Sequence, residues 1–463
     1  MNNVDVAGTY GSIERQQLFE MMKIGELDTL VVGFVDIQGR LMGKRLTADY
    51  CLENELVDGS KFCTYLLGTD LDLNTIEGYS YMSWETGYGD WTAEPDWTTL
   101  RVLPWLEKTA LVFADVVDEE RNDVSISPRS ILKKQIERAN DKGLFPKMVS
   151  ELEFYLFNES FESAFKKEYR DLQVAGQFNE DYSLLQGSKN EPFYRHVRNM
   201  MTKAGVPIES SKGEAHIGQH EINVKYSDAL TSADRHILLK HGMKEMAIQQ
   251  DYALTFMAKP HHDWTGSSGH IHLSVSDESG ATNYFYDKNE ANGMSETMQH
   301  FLAGILAYTK DFSLFYAPYV NSYKRFVPDS WAPTNIVWSR DNRSSGYRIV
   351  GEGKAMRIEN RIPGADFNPY LAYSAMLGAG LKGLEQKLPL SKEHVGNAYL
   401  SEEVSQIPGT LYEAIDCWKN STIVQEVLGE DVAMHYLHTA IVEQEQHNKY
   451  VSELEIKRNF EQC

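Results

Sequence analysis

Four short apolar segments place charged or imidazole side chains where they cannot be solvated independently. Ser150-Glu151-Leu152-Glu153-Phe154 carries two acids two residues apart, and Glu221 opens the run EINVKY. His270-Ile271-His272 repeats the spacing with imidazoles, and Arg357-Ile358-Glu359-Asn360-Arg361 repeats it with mixed charge. In an extended chain alternate side chains share a face, so each pair points the same way. An exposed strand face accounts for one such pair. For four apolar strands at once, the fold that fits is a set of sheets turning like charges toward a common centre, which is costly without a cation. Mg²⁺ and Mn²⁺ prefer carboxylate oxygens, and Mn²⁺ also accepts imidazole. Glu214, which with Glu221 brackets AHIGQH, joins the candidate ligands.

A cationic set lies further along. Asn321-Ser322-Tyr323-Lys324-Arg325 leads into a Pro-bearing loop, and Asn342-Arg343-Ser344-Ser345-Gly346-Tyr347-Arg348 follows a Trp-containing strand. Guanidinium forks suit carboxylate and phosphoryl oxygens. Metals and arginines without a covalent nucleophile point to phosphoryl transfer. Neither a Walker A nor a G-x-G-x-x-G sequence occurs, so the common nucleotide loops are absent.

The 67 acids outnumber the 45 bases, for a net charge of −22. That balance argues against nucleic acid and anionic membrane surfaces as partners. Cys51, Cys63, Cys417 and Cys463 form no CxxC pair, which fits a reducing compartment. No basic-then-apolar leader and no membrane-length apolar run is visible, so the cytoplasm is the expected location.

The expected fold class is α+β, with a boundary near residue 125 separating a smaller part, 1–125, from a larger one, 126–463. The patterns predict a helix over 12–26 and a hairpin around Ile37-Gln38-Gly39-Arg40. A long ordered loop is expected over 78–105, then a strand over 110–117. Ser127 is a candidate N-cap with Pro128 in the first helical turn. Strands are expected at 148–157, 219–226, 268–276, 333–339, 346–350 and 356–362. Helices are expected at 229–249, from Asn368 through Gln386, and as a pair over 431–459.

The motifs ELEF at 151–154, GQHE at 218–221, GHIH at 269–272, NSYKRFVP at 321–328, APTNIVWSRDNRS at 332–344 and RIENRIPGADFNPYLAYSAML at 357–377 together resemble the type I glutamine synthetase family over nearly the whole chain. The resemblance implies a small N-terminal β-grasp domain and a larger catalytic domain with a curved antiparallel sheet and helices. It also implies stacked hexameric rings, a homododecamer with active sites shared between neighbours. One Mg²⁺ or Mn²⁺ would be held by Glu153, Glu214 and Glu221, the other by Glu151, His270 and Glu359. His272, Ser274 and Lys354 would contact ATP. Arg343 and Arg348 would clamp the transferring phosphate. Arg325, Arg361, Gly266 and Glu153 would bind glutamate. In the implied reaction the glutamate side-chain carboxylate attacks ATP to give γ-glutamyl phosphate, and an amine then displaces phosphate. Tyr399, in GNAYLSEE, lies where some relatives are adenylylated.

Departures from the family pattern bear on the amine. Trp331 stands where glutamine synthetases carry a flap glutamate. Cys63 stands at the ammonium-binding aspartate in one alignment, whereas another keeps Asp58 there. Tyr182 matches a tyrosine near the amine site, and Thr265 replaces a usual asparagine. Trading acid for indole removes ammonium's partner and adds apolar surface. The expectation is therefore a γ-glutamyl-amide ligase for an organic amine, aromatic or small alkyl, resembling the γ-glutamylanilide, alkylamide and polyamine synthetases that begin amine degradation. An ammonia-using glutamine synthetase and a non-catalytic family member are the alternatives.

Overall fold

The computed structural model describes residues 11–54, 56, 59–290, 292–401 and 403–463. Asp58 lies outside them. Three sheets organise the described residues. The first is mixed and takes strands from the smaller part of the chain. Thr29–Val35 pairs antiparallel with Leu41–Thr47 and parallel with Thr109–Val117, and Asp90–Pro95 joins Thr109–Val117 to Ser60–Cys63. The expected hairpin forms because Gly39 adopts a positive φ of 82° and Asp36 accepts from the Arg40 amide and side chain across the turn.

Two further sheets build the larger part. A four-stranded sheet runs Ala253–Thr255, Leu152–Phe157, Gln219–Val224, Ile208–Gly213. A six-stranded sheet runs Ser227–Asp228, Phe145–Ser150, Ile271–Ser276, Arg357–Asn360, Tyr347–Val350, Trp338–Arg340. The expected strand over 148–157 is thus two strands in different sheets, parted at Glu151. The backbone is held through the break, since the Glu151 N–H donates to the His270 carbonyl and Glu153 N–H to that of Ser268, at 2.9 and 3.0 Å. Trp338–Arg340 and Tyr347–Val350 pair in parallel, so this sheet is not purely antiparallel.

Other expectations also shift. The first helix spans Arg15–Lys23 rather than 12–26, and Gly25, at φ 74°, turns the chain beyond it. Asp90–Pro95 emerges inside the expected 78–105 loop, with Trp91, Ala93 and Pro95 buried. The expected 333–339 strand shrinks to Trp338–Arg340, because Pro333 cannot donate to a ladder. Ser127 stands at the N-cap of Pro128–Asn140 without a side-chain capping bond.

Helix Ala229–Gln249 matches expectation, capped by Asp228, whose carboxylate accepts from the Thr231 N–H at 2.9 Å. Helix Pro369–Gln386 packs on Glu296–Tyr308 at very short range. A Cβ on Gly304 would lie 2.3 Å from the Ala379 carbonyl, and one on Gly383 would lie 2.2 Å from that of His300. The C-terminal pair is Glu430–Lys449 and Glu453–Asn459. Buried Arg129 ties the two parts of the chain together. It bonds Asp96 and Asp115 at 2.7 and 2.5 Å on one side and Asp234 at 3.2 Å on the other. No described helix is long and apolar enough to cross a membrane.

Candidate active site

Residues from both sheets of the larger part line a cleft of about 1790 Å³. On its floor Glu221 lies directly opposite Glu153 across the antiparallel pair, and Lys212 lies opposite Glu221 on the next strand. Glu153, Glu214 and Glu221 each bring a carboxylate oxygen within 4.8 Å of the others. Glu153 Oε2 is fixed by the Ser268 N–H at 2.7 Å and Gln219 Nε2 at 3.3 Å. Burial and the Glu153 charge push the Glu214 carboxyl up to about 7. Burial, then Glu151 and Glu214, raise Glu221 well above the usual carboxylate range. Hard oxygen donors whose repulsion a divalent ion would relieve are a set that fits Mg²⁺ or Mn²⁺.

A second cluster stands beside it. His272 Nε2 is 2.9 Å from Glu151 Oε1, and His270 Nδ1 is 3.3 Å from Glu151 Oε2 and 3.6 Å from Glu359 Oε1. Glu151, His272 and Glu359 bring ligand atoms within 4.8 Å of one another. His272, expected at the nucleotide, therefore shares this cluster with His270, because the two-residue spacing turns both rings the same way. Its Nδ1 accepts from Arg357 Nε at 3.1 Å. Burial works against ionisation of Glu359, yet Arg361 and the two histidines hold its carboxyl down at about 2. This mixed oxygen and nitrogen set also fits a divalent ion.

The arginines divide by partner. Arg343 is exposed on the cleft wall and makes no hydrogen bond or ion pair among the described residues. Arg348, expected beside it as a phosphate clamp, is committed to Glu359 at 2.9 Å and to Asp341. Arg325 is 1% exposed and bonds the Ile362 and Arg361 carbonyls and Ser268 Oγ, leaving its buried Nε without a partner. Burial pulls its guanidinium down to about 10. Gly266 lets it lie there, since a Cβ would stand 2.7 Å from Arg325 Cγ. Arg361 Nη1 donates to Glu359 at 2.6 Å, and its buried Nε also lacks a partner. Ser274 and Lys354 both line the cleft.

The amine-side residues separate. Trp331 lines the cleft, 61% exposed, in the left-handed region at φ 65° with Asp329 at 58° close by. Two such non-glycine residues in one loop are strained. The Trp331 carbonyl accepts from Arg361 Nη2 at 3.5 Å, and that of Ala332 accepts from the Tyr399 hydroxyl at 2.9 Å. Tyr182 lines the cleft too, but Cys63 does not; its thiol donates to the Tyr88 carbonyl at 3.2 Å. The Thr265 carbonyl accepts from Tyr155 at 2.7 Å. Lys212 and Gln219 escaped the sequence reading. Both sit two residues from a singled-out glutamate, Glu214 or Glu221, so strand alternation could have found them.

The family description "Glutamine synthetase, catalytic domain" matches residues 125–459. Gamma-glutamylethanolamide synthetase GlnA4 of Streptomyces coelicolor is 44% identical over 96% of this chain and 95% of its own length. Glutamate–isopropylamine ligase of a Pseudomonas species is 38% identical over 93% and 95%. A solved structure described as a GmaS/ADP complex superposes with a TM-score of 0.83 at 26% identity, covering 96% of this chain and 99% of that one.

Proposed function

The chain belongs to the glutamine synthetase family and is an ATP-dependent carbon–nitrogen ligase, and we propose that it joins the γ-carboxylate of glutamate to a small organic primary amine. The observation that carries the choice of amine is Trp331, an indole on the cleft wall where ammonia-using members carry an acid. Two relatives whose names specify ethanolamine and isopropylamine products support the same choice, and they favour aliphatic amines over aromatic ones.

In this proposal Arg325 and Arg361, with Gly266 between backbone and guanidinium, hold the glutamate carboxylates. The γ-carboxylate attacks the terminal phosphorus of ATP, the bond to the ADP oxygen breaks, and γ-glutamyl phosphate forms. Arg343, without a partner among the described residues, neutralises the transferring phosphoryl oxygens, and Arg348 supports it from Glu359. Divalent ions, held by Glu153, Glu214 and Glu221 and by Glu151, His270, His272 and Glu359, would supply charge neutralisation at the phosphates. Ser274 and Lys354 border the nucleotide. The neutral amine then attacks the acyl carbon, the carbon–oxygen bond to phosphate breaks, and the nitrogen gives up one proton to the departing phosphate, giving the amide. Trp331 and Tyr182 flank its alkyl body. The family's stacked hexameric rings and a role in the first step of amine breakdown belong to this proposal as well.

The test is phosphate release from glutamate, ATP and Mg²⁺ with ammonia, ethanolamine, isopropylamine and aniline in turn. The expected result is the highest kcat/KM with a small aliphatic amine. Ammonia as the best substrate would make this a glutamine synthetase, and no ATP turnover with any amine would leave a non-catalytic family member.

A further inference from the structure

Lys212 is a positive charge in the cleft that the metal-ligand reading leaves without a task, and its position is specific. It lies on strand Ile208–Gly213 opposite Glu221, its ammonium donates to Glu214 Oε1, and it sits 4.6 Å from the centre of the Tyr182 ring. Its side chain is 25% exposed and lines the cleft together with Asp181, Tyr182 and Trp331. A carboxylate and an aromatic face both hold the ammonium at this corner.

We propose that Lys212 is a specificity residue that restricts the amine to one with a neutral tail. The inference rests on the amine-ligase reading above. A substrate amine flanked by Tyr182 and Trp331 extends its far end toward the corner that Lys212 occupies. A hydroxyl or alkyl end is tolerated there, because it carries no charge. A second ammonium meets a fixed like charge a few ångströms away, and the nearest carboxylate, Glu214, is taken up by Lys212 and the ion-ligand set. In a cleft of low effective dielectric that repulsion disfavours diamines roughly tenfold or more. Removing the charge does more than relieve the repulsion, since it leaves Asp181, which lines the same corner, to face the distal ammonium.

The experiment compares propylamine with 1,3-diaminopropane, which differ by a terminal ammonium. The wild-type protein is expected to favour propylamine in phosphate release. Lys212→Met should raise the diamine-to-monoamine ratio of kcat/KM at least tenfold, and Lys212→Arg, which keeps the charge, should retain the wild-type ratio. An unchanged ratio in Lys212→Met overturns the proposal, as does an equal rise in Lys212→Arg. If Lys212→Met fails to fold, Lys212→Gln reads the same contrast. Titration calorimetry with 1,3-diaminopropane needs no turnover. Tighter binding to Lys212→Met than to wild type supports the proposal, and equal binding refutes it. Turnover absent with every amine would instead sink the ligase reading, leaving the calorimetric contrast to decide this one.

Discussion

Glu153 and Glu221 face each other as direct partners on neighbouring antiparallel strands, both buried. Like charges so placed destabilise a sheet, and Glu214 adds a third carboxylate within 4.8 Å. The fold therefore holds a repulsion that binding can relieve.

Mg²⁺ or Mn²⁺ is accordingly expected to raise the melting temperature by a few degrees at concentrations well above Kd, reversibly on chelation. Glu221→Gln should melt higher than wild type in chelator and lose most of the response to metal. An undiminished response in the variant would remove Glu221 from the ligand set.

Trp331→Glu restores an acid to the cleft wall. Its kcat/KM should rise about tenfold or more with ammonia and fall with isopropylamine. An unchanged amine profile would show that the indole does not choose the substrate.

Arg129 satisfies Asp96, Asp115 and Asp234 from a position 3% exposed. Arg129→Met strands Asp234, which retains the Tyr370 hydroxyl at 2.5 Å, and should destabilise the fold by about 3–5 kcal/mol. Urea denaturation checks this, and a loss under about 1 kcal/mol would mean the acids find water or a proton instead.

His435 is buried with Nε2 2.8 Å from the Leu67 carbonyl, and burial pushes its imidazole down to about 3 from 6.5. The folded ring stays neutral while the unfolded one takes up a proton below 6.5, so its contribution is fully present above that pH. It is lost by about 1.4 kcal/mol per pH unit as pH falls from 6.5 toward 3. His435→Gln should flatten the melting-temperature profile across that window. Parallel profiles would show that the ring titrates normally in the fold.

The sequence reading succeeded where side-chain spacing encodes a face. The histidine pair, the helix over Ala229–Gln249 and the hairpin at Gly39 follow local rules. It failed where a partner strand decides. The break at Glu151 depends on hydrogen bonds to His270 and Ser268, more than a hundred residues away, and nothing in SELEF announces it. His272 lies beside Glu151 and Glu359 as His270 does, because the two-residue spacing turns both rings the same way. Arg348 is engaged by Asp341, an acid in an irregular loop that periodicity does not place. Lys212 was overlooked because a lysine among SSKGE reads as solvated surface until Glu214 and Tyr182 close on it.

The strand break at Glu151 sets a gauge. Glu151 and Glu153 are separated by a single leucine, yet each serves a different cluster, Glu151 from the break and Glu153 from the strand beyond it. Two ligands, one for each candidate ion position, are thus tied together by two residues of backbone, so the two positions are linked along the chain as well as through the sheets. An inserted or deleted residue at Leu152 would shift the register of Leu152–Phe157 by one, turning Glu153 away from Glu221 while Glu151 kept its place.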